Sequence, residues 1–245
     1  MKPIFLYDPE TAPLLAFGAH PDDIEYGCGG VVARETRDGR RAHFVVCSQG
    51  EASTHGTPAE RVVEAQKAAS ILGATVEFIR LDGDAHLEIK TVHAMTLAAV
   101  IRRVRPAILL APSLVENQHP DHSRLGFLVR NAARLARYGG VKELRPSPPH
   151  PIDQLLYYAV TPEAEPKDLA RLLIDISEQG VFDTWVSAMQ AHSSQSQTRS
   201  YVELQVTRAR LNGMRAGIEY AMALFPNDSL ILESLAPLSR GARRF

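Results

Sequence analysis

Four apolar runs, each followed by a helical pattern, occupy residues 14–138, and this alternation restricts the fold more than any other feature of the chain. The runs at 14–19, 42–47, 76–81 and 107–111 are short and nearly unbroken, as strands buried on both faces are. The patterns at 23–37, 58–72, 89–105 and 123–138 have helical spacing, with Gly39, Gly73 and Gly139 placed as stops. Repeated strand–helix units join into parallel strands through right-handed crossovers. The expectation is an α/β fold: a doubly wound, mainly parallel Rossmann-like sheet flanked by helices. Four prolines within 146–151 interrupt regular structure, and beyond them strands are expected at 154–160 and 172–176 and helices at 181–192 and 201–225. The organisation predicted is a single domain over 1–245, with a core at 1–145 and a C-terminal extension at 146–245, preceded by a surface lead-in at 1–13.

Two polar clusters stand where strands end. His20-Pro21-Asp22-Asp23 follows the first run, and His119-Pro120-Asp121-His122 follows the fourth. In open α/β sheets the crevice at the carboxyl ends of the strands is where ligands bind. An Asp before a helix also serves as a cap and suits the positive end of the helix dipole. Two His/Asp clusters with an internal Pro, both after apolar strands, are hard to explain as two caps. His20 and Asp23, three apart across a rigid Pro, can converge on one cation, and one His of the second cluster completes the three protein ligands of a catalytic metal site. Asp22 then remains free to take a proton from water. Of His119 and His122, one can bind metal while the other carries a proton, oriented by Asp121. This inventory fits hydrolysis of an amide or ester. No Gly-x-Ser-x-Gly elbow, Walker loop or His-Glu-x-x-His sequence is present.

The loop after the second strand, 48–57, contains Glu51 and His55 and is expected to face the same crevice. Arg61, at the start of the next helix, can meet an anionic substrate or stay solvated. His192 ends a helix, where a cation is favoured, or lines the site. Asp82-Gly83-Asp84 reads first as a turn, with a metal site as the weaker alternative. The glycines at 27, 29 and 30 suggest close backbone packing or ligand access, and their spacing is not a dinucleotide fingerprint. His43 is expected to face solvent, and His86 and His93 have no evident partner. Cys47 reads as core.

With 27 basic and 28 acidic residues the net charge is −1, which offers nothing to nucleic acid or an anionic membrane. The sequence has no signal-peptide pattern and no run long enough to span a membrane. With two cysteines and no Cys-x-x-Cys pair, the expected compartment is the cytoplasm.

Gly-Ala-His-Pro-Asp-Asp, Gly-Cys-Gly-Gly, the Gly-Glu loop, His-Pro-Asp-His and Ala191-His192-Ser193-Ser194-Gln195, together with the stretch from Arg208 to Tyr220, resemble the PIG-L/LmbE-like de-N-acetylases. The similarity runs through nearly the whole chain, and within the family it is greatest to bacterial thiol-biosynthesis deacetylases acting on N-acetylglucosaminyl conjugates. The resemblance implies Zn2+ held by His20, Asp23 and His122, with Asp22 as general base, His119 as acid or oxyanion group and Asp121 as its orienter. It implies a small N-acetylated sugar as substrate and a homo-oligomeric assembly; by position, Glu51, His55, Arg61 and His192 are the candidates to lie near that substrate. Carboxylate plus two imidazoles also suits Fe2+, Mn2+ or Co2+. Two departures leave the substrate open. His55 stands where relatives carry Arg in Thr-Arg-Gly-Thr, and Tyr220-Ala221-Met222-Ala223 lacks the acidic residue many relatives place after Tyr-Ala. The competing readings are a metal-dependent hydrolase of another small amide and a non-catalytic metal-binding protein.

Overall fold

The computed structural model describes residues 12–116, 119–195, 200–232, 234, 235 and 241; most of the lead-in expected at 1–13 lies outside them. One seven-stranded sheet runs through the molecule. In chain order its elements are β1 (Leu14–Gly18), α1 (Asp23–Arg37), β2 (Ala42–Val46), α2 (Pro58–Ile71), β3 (Ala74–Phe78), α3 (Thr91–Val104), β4 (Ile108–Pro112) and α4 (Pro120–Arg137). Then follow β5 (Gln154–Tyr158), β6 (Leu172–Asp175), α5 (Gln179–Gln190), α6 (Tyr201–Ala216) and β7 (Ala221–Pro226). The strand order is β3-β2-β1-β4-β5-β7-β6.

β1 is wholly buried and pairs in parallel with β2 and β4, so the order reverses direction at β1. β5 continues the parallel set beside β4, while β7 is antiparallel to both β5 and β6. Apolar layers cover the sheet on both faces, one built with α1 and α5 and the other with α3 and α4. Burial on two sides explains why β1 and β4 carry no alternation in sequence.

The helix expected over 201–225 is overturned. α6 ends at Ala216, Gly217 adopts φ 66°, and residues 221–226 form β7. Ala-Met-Ala-Leu-Phe is apolar throughout, and such a run suits a buried strand as well as a helix. β3 also lies earlier than expected, at Ala74–Phe78.

The glycines of α1 serve packing. A Cβ at Gly27 would lie 2.1 Å from Cδ2 of Tyr158 on β5, and one at Gly29 would lie 2.9 Å from the Trp185 ring on α5. Both rings are fully buried and anchored: Tyr158 Oη donates to Phe17 O and Trp185 Nε1 to Glu25 O. α1, which begins at Asp23, is thereby seated against residues from the second half of the chain. Among the described residues no helix is long and apolar enough to cross a membrane.

Candidate active site

The loops leaving β1 and β4 meet over the carboxyl edge of the sheet because those strands are neighbours. His20 Nδ1 lies 3.3 Å from His122 Nε2, Asp23 Oδ1 lies 3.0 Å from His122 Nε2, and Asp23 Oδ2 lies 3.4 Å from His20 Nδ1. All three residues are buried. The Asp23 carboxylate is fixed by the backbone that turns around it, since Oδ2 accepts from the N–H groups of Ala19 and His20 at 2.8 and 2.9 Å. Oδ1 is thereby aimed at His122. Burial opposes ionisation of Asp23, but the His122 and His20 rings outweigh it and hold the carboxyl well below the usual range. Two imidazole nitrogens and one carboxylate converging in this way suit a borderline divalent cation. The far side of His20 is also engaged: Nε2 faces Asp84 Oδ1 at 3.1 Å and Asp121 Oδ2 at 3.6 Å. Carboxylates placed behind a ligating imidazole orient the ring and raise its basicity.

Asp22 stands at the start of α1 but caps nothing through its side chain; its backbone has φ 131° and ψ −22°. That conformation is foreign to residues with a Cβ, and it turns the side chain into the cleft beside the triangle of His20, Asp23 and His122. Burial pushes the Asp22 carboxyl up to about 6, against the pull of the Arg61 guanidinium. Arg61 is itself buried, donating to Asp22 Oδ2 at 3.1 Å and to Pro21 O at 2.9 Å. It passes so close to Gly50 that a Cβ there would meet Nη1 at 2.1 Å.

The cleft has a volume of about 470 Å³. Asp22, the metal-type triangle, Asp84 and His119 line it, together with Ser53 and His55 of the second loop and Arg61 of α2. Val160, Tyr201, Leu204 and Gln205 from the C-terminal part also line it. His55 therefore borders the cleft as expected, its loop tied down by Gln195 Nε2, which donates to His55 O at 2.8 Å. Glu51 and His192 are not among the lining residues. Glu51 accepts from the backbone of Gln49 and Asp84 and pairs with Arg80. His192 is fully buried behind α1, with Nε2 3.6 Å from Glu25 Oε2. Burial favours its neutral ring, but the Glu25 carboxylate, helped by Asp22 and Glu64, outweighs burial and raises its pKa.

Asp121 Oδ2 accepts from Ala85 N at 2.8 Å, and His119 Nε2 lies 3.5 Å from Asp84 Oδ1. Asp84 is a site residue for which the sequence favours a turn over a metal site. An Asp-Gly-Asp stretch looks like any turn, and only the fold shows that it packs over two histidines. The other histidines are engaged structurally. His43 bonds Thr75 and Glu77, His93 bonds Asp82 at 2.8 Å, and His150 is buried against Pro106 O. His43 is only partly exposed, and both His86, whose Nδ1 lies 2.7 Å from Asp84 O, and His93 have partners, so all three depart from the expectation.

A doubly wound α/β sheet with a His/Asp metal-type centre at its carboxyl edge defines a class of metal-dependent proteins, and the comparisons narrow it. The family model PIG-L: GlcNAc-PI de-N-acetylase matches residues 15–133. Diacetylchitobiose deacetylase of Thermococcus kodakarensis is 29% identical over 199 residues, covering 76% of this chain and 71% of that protein. A 4-oxalmesaconate hydratase of Pseudomonas putida is 33% identical over 140 residues, covering 52% and 54%. The crystal structure of the conserved protein TT1542 from Thermus thermophilus superposes with a TM-score of 0.81 at 29% identity, over 94% of this chain and 100% of that one. Nearly half of the chain thus matches the PIG-L family of de-N-acetylases, and a deacetylase is among its relatives.

Proposed function

We propose that this protein is a zinc-dependent N-deacetylase that removes the acetyl group from a small N-acetylated amino sugar, an N-acetylglucosaminyl conjugate. The observation that carries this reading is the convergence of His20 Nδ1, Asp23 Oδ1 and His122 Nε2, with the Asp22 carboxylate beside them in the same cleft. The deacetylase relative supports the substrate class. His20, Asp23 and His122 would hold the cation, which supplies a Lewis acid for the acetyl carbonyl and makes a water more acidic.

Asp22 takes the proton of the attacking water and is placed to return it to the amine that leaves. A carboxyl pushed up to about 6 is a stronger base than an ordinary carboxylate and is still ionised at neutral pH. Arg61 holds Asp22 in place. His119, at the rim of the triangle and less buried than His20 or His122, donates to the carbonyl oxygen as charge grows there. His55 and Tyr201 border the space left for the sugar and its aglycone. In this reading the protein is cytoplasmic and homo-oligomeric, and residues 146–245 form an extension of a single domain.

Acetate release over a panel of N-acetylated amino sugars, measured on metal-stripped and zinc-reloaded protein, tests the proposal. Release that requires metal and is lost in Asp22→Asn supports it. The hydratase relative makes addition of water to an unsaturated tricarboxylate the second reading. Turnover of such a substrate, with none of any amide, would replace the first reading by the second.

A further inference from the structure

The first turn of α6 presents an apolar patch to the cleft. Tyr201 and Leu204, three apart and so on one side of the helix, both line it. Val160 lines it too, and is tied to the same turn because Gln205 Nε2 donates to Val160 O at 2.7 Å. Tyr26 reaches the patch from α1, its ring centroid 5.8 Å from that of Tyr201. Tyr26 also lines the cleft, and it follows Asp22 by four residues at the start of α1, so the patch adjoins the carboxylate given the role of base. Leu204 is 41% exposed, which leaves apolar surface inside the cleft in contact with water. Covering that surface with an apolar group is favourable.

Charge around the patch points the same way. Among the described lining residues Arg61 is the only Arg or Lys, and it is buried and turned to Asp22 and Pro21 O. Arg208, one turn further along α6, is turned to Glu165 and Ala159 O. Asp22, Asp23 and Asp84 add three carboxyl groups to the same cleft. An anionic group seated on the patch would lose hydration and find no guanidinium or ammonium group among the described lining residues free to replace it.

We propose that Tyr26, Val160, Tyr201 and Leu204 form the aglycone subsite, and that it selects an uncharged, apolar aglycone, alkyl or aryl, over an anionic one of the same length. The identity of the sugar rests on the N-deacetylase reading above; the chemistry of the subsite does not.

The test uses β-glycosides of N-acetylglucosamine bearing a methyl, n-butyl or carboxypropyl group. Their binding to full-length Asp22→Asn is measured by calorimetry, and their deacetylation by the wild type is followed by acetate release. The butyl glycoside should bind at least about tenfold more tightly than the methyl glycoside, as burial of most of three methylenes requires. The carboxypropyl glycoside, equal to butyl in length, should bind at least about tenfold more weakly than butyl. In the wild type the same order should appear in KM, with kcat constant within about twofold, because contacts remote from the reacting amide are the same in ground and transition states. Leu204→Ser should cut the butyl advantage to less than about threefold, and Leu204→Met should retain it. Leu204 is partly exposed, so neither change threatens the core. Leu211→Ser alters an apolar residue of the same helix that is 49% exposed but does not line the cleft, and it should leave the advantage unchanged. Equal binding of butyl and methyl, carboxypropyl binding as tight as butyl, a butyl advantage that survives Leu204→Ser, or no binding of any glycoside would each overturn the proposal. Binding in the stated order with no acetate released would leave the subsite standing and remove the deacetylase reading. Acetate release indifferent to the aglycone would do the reverse.

Discussion

The backbone of Asp22 makes a sharp prediction. At φ 131° and ψ −22° a Cβ is strained, at a cost of about 1–3 kcal/mol, while glycine meets no such penalty. The comparison to make is Asp22→Gly against Asp22→Ala. Both variants remove the carboxylate and leave Arg61 in the same surroundings, so the loss of that pair cancels between them. What remains is strain, which penalises Ala, and the greater freedom of glycine in the unfolded chain, which penalises Gly by about 0.4–1 kcal/mol. With mid-range values of about 2 and 0.7, Gly should be the more stable by on the order of 1 kcal/mol. In a chain of this size that is roughly 2–4 °C in melting temperature. Urea unfolding and a thermal melt of the two variants measure the difference directly. At an ordinary loop position the sign is reversed, with Ala above Gly. If Ala proves equal or superior, position 22 is not strained, and the account of how the side chain is turned into the cleft fails.

Other outcomes follow from the same site and its supports. His20→Ala, Asp23→Ala and His122→Ala should each lower bound metal steeply by elemental analysis, whereas Asp22→Asn and His119→Ala should keep metal and lose on the order of 10²–10⁴ in rate. Metal loss in Asp22→Asn would reverse the assignments. Gly27→Ala drives a Cβ to 2.1 Å from the anchored Tyr158 ring, and overpacking of this kind costs about 1–3 kcal/mol, against up to about 1 kcal/mol of helix propensity regained. A net fall in stability is expected by urea unfolding, and an unchanged midpoint would show that the ring can move. His192 has a folded-state pKa above its unfolded value, so its contribution is complete below about 6.5 and fades as pH rises through the raised value. His192→Gln should flatten the decline of stability on that alkaline side, as measured by urea midpoints across pH.

The sheet and the first polar cluster are legible in the sequence because their signals are local. Unbroken apolar runs such as Leu14–Gly18 signal strands buried on both faces, and His20-Pro21-Asp22-Asp23 places its donors within one turn of chain. Asp84 is only weakly legible, because its importance lies in residues distant in sequence, His20 and His119, that the fold brings to it. For Arg61 the sequence offers only substrate or solvent as a partner. Its burial against Asp22 depends on Gly50 leaving room for the guanidinium, a contact no periodicity reveals. β7 escapes for a different reason. The residues of 221–226 fit either periodicity, and the choice is made by the edge of β5 and the face of β6 waiting for a partner.

The adjacency of β1 and β4 has a consequence for how the protein matures. His20 and His122 are separated by 102 positions in sequence, and nothing between them brings the two together until β4 has docked on β1. Contacts of such long range form slowly, since much loop entropy must be surrendered before they are rewarded. A newly made chain therefore has half a binding site on each side of an unfinished sheet, and neither half holds a cation firmly by itself. In the function proposed above, metal uptake would mark the completion of folding, and the ion would from that moment stabilise only the native state, by an amount that rises with its free concentration. Scarcity of the ion would then show first as a shorter lifetime of the protein, before any change in the catalysis of the molecules that remain loaded.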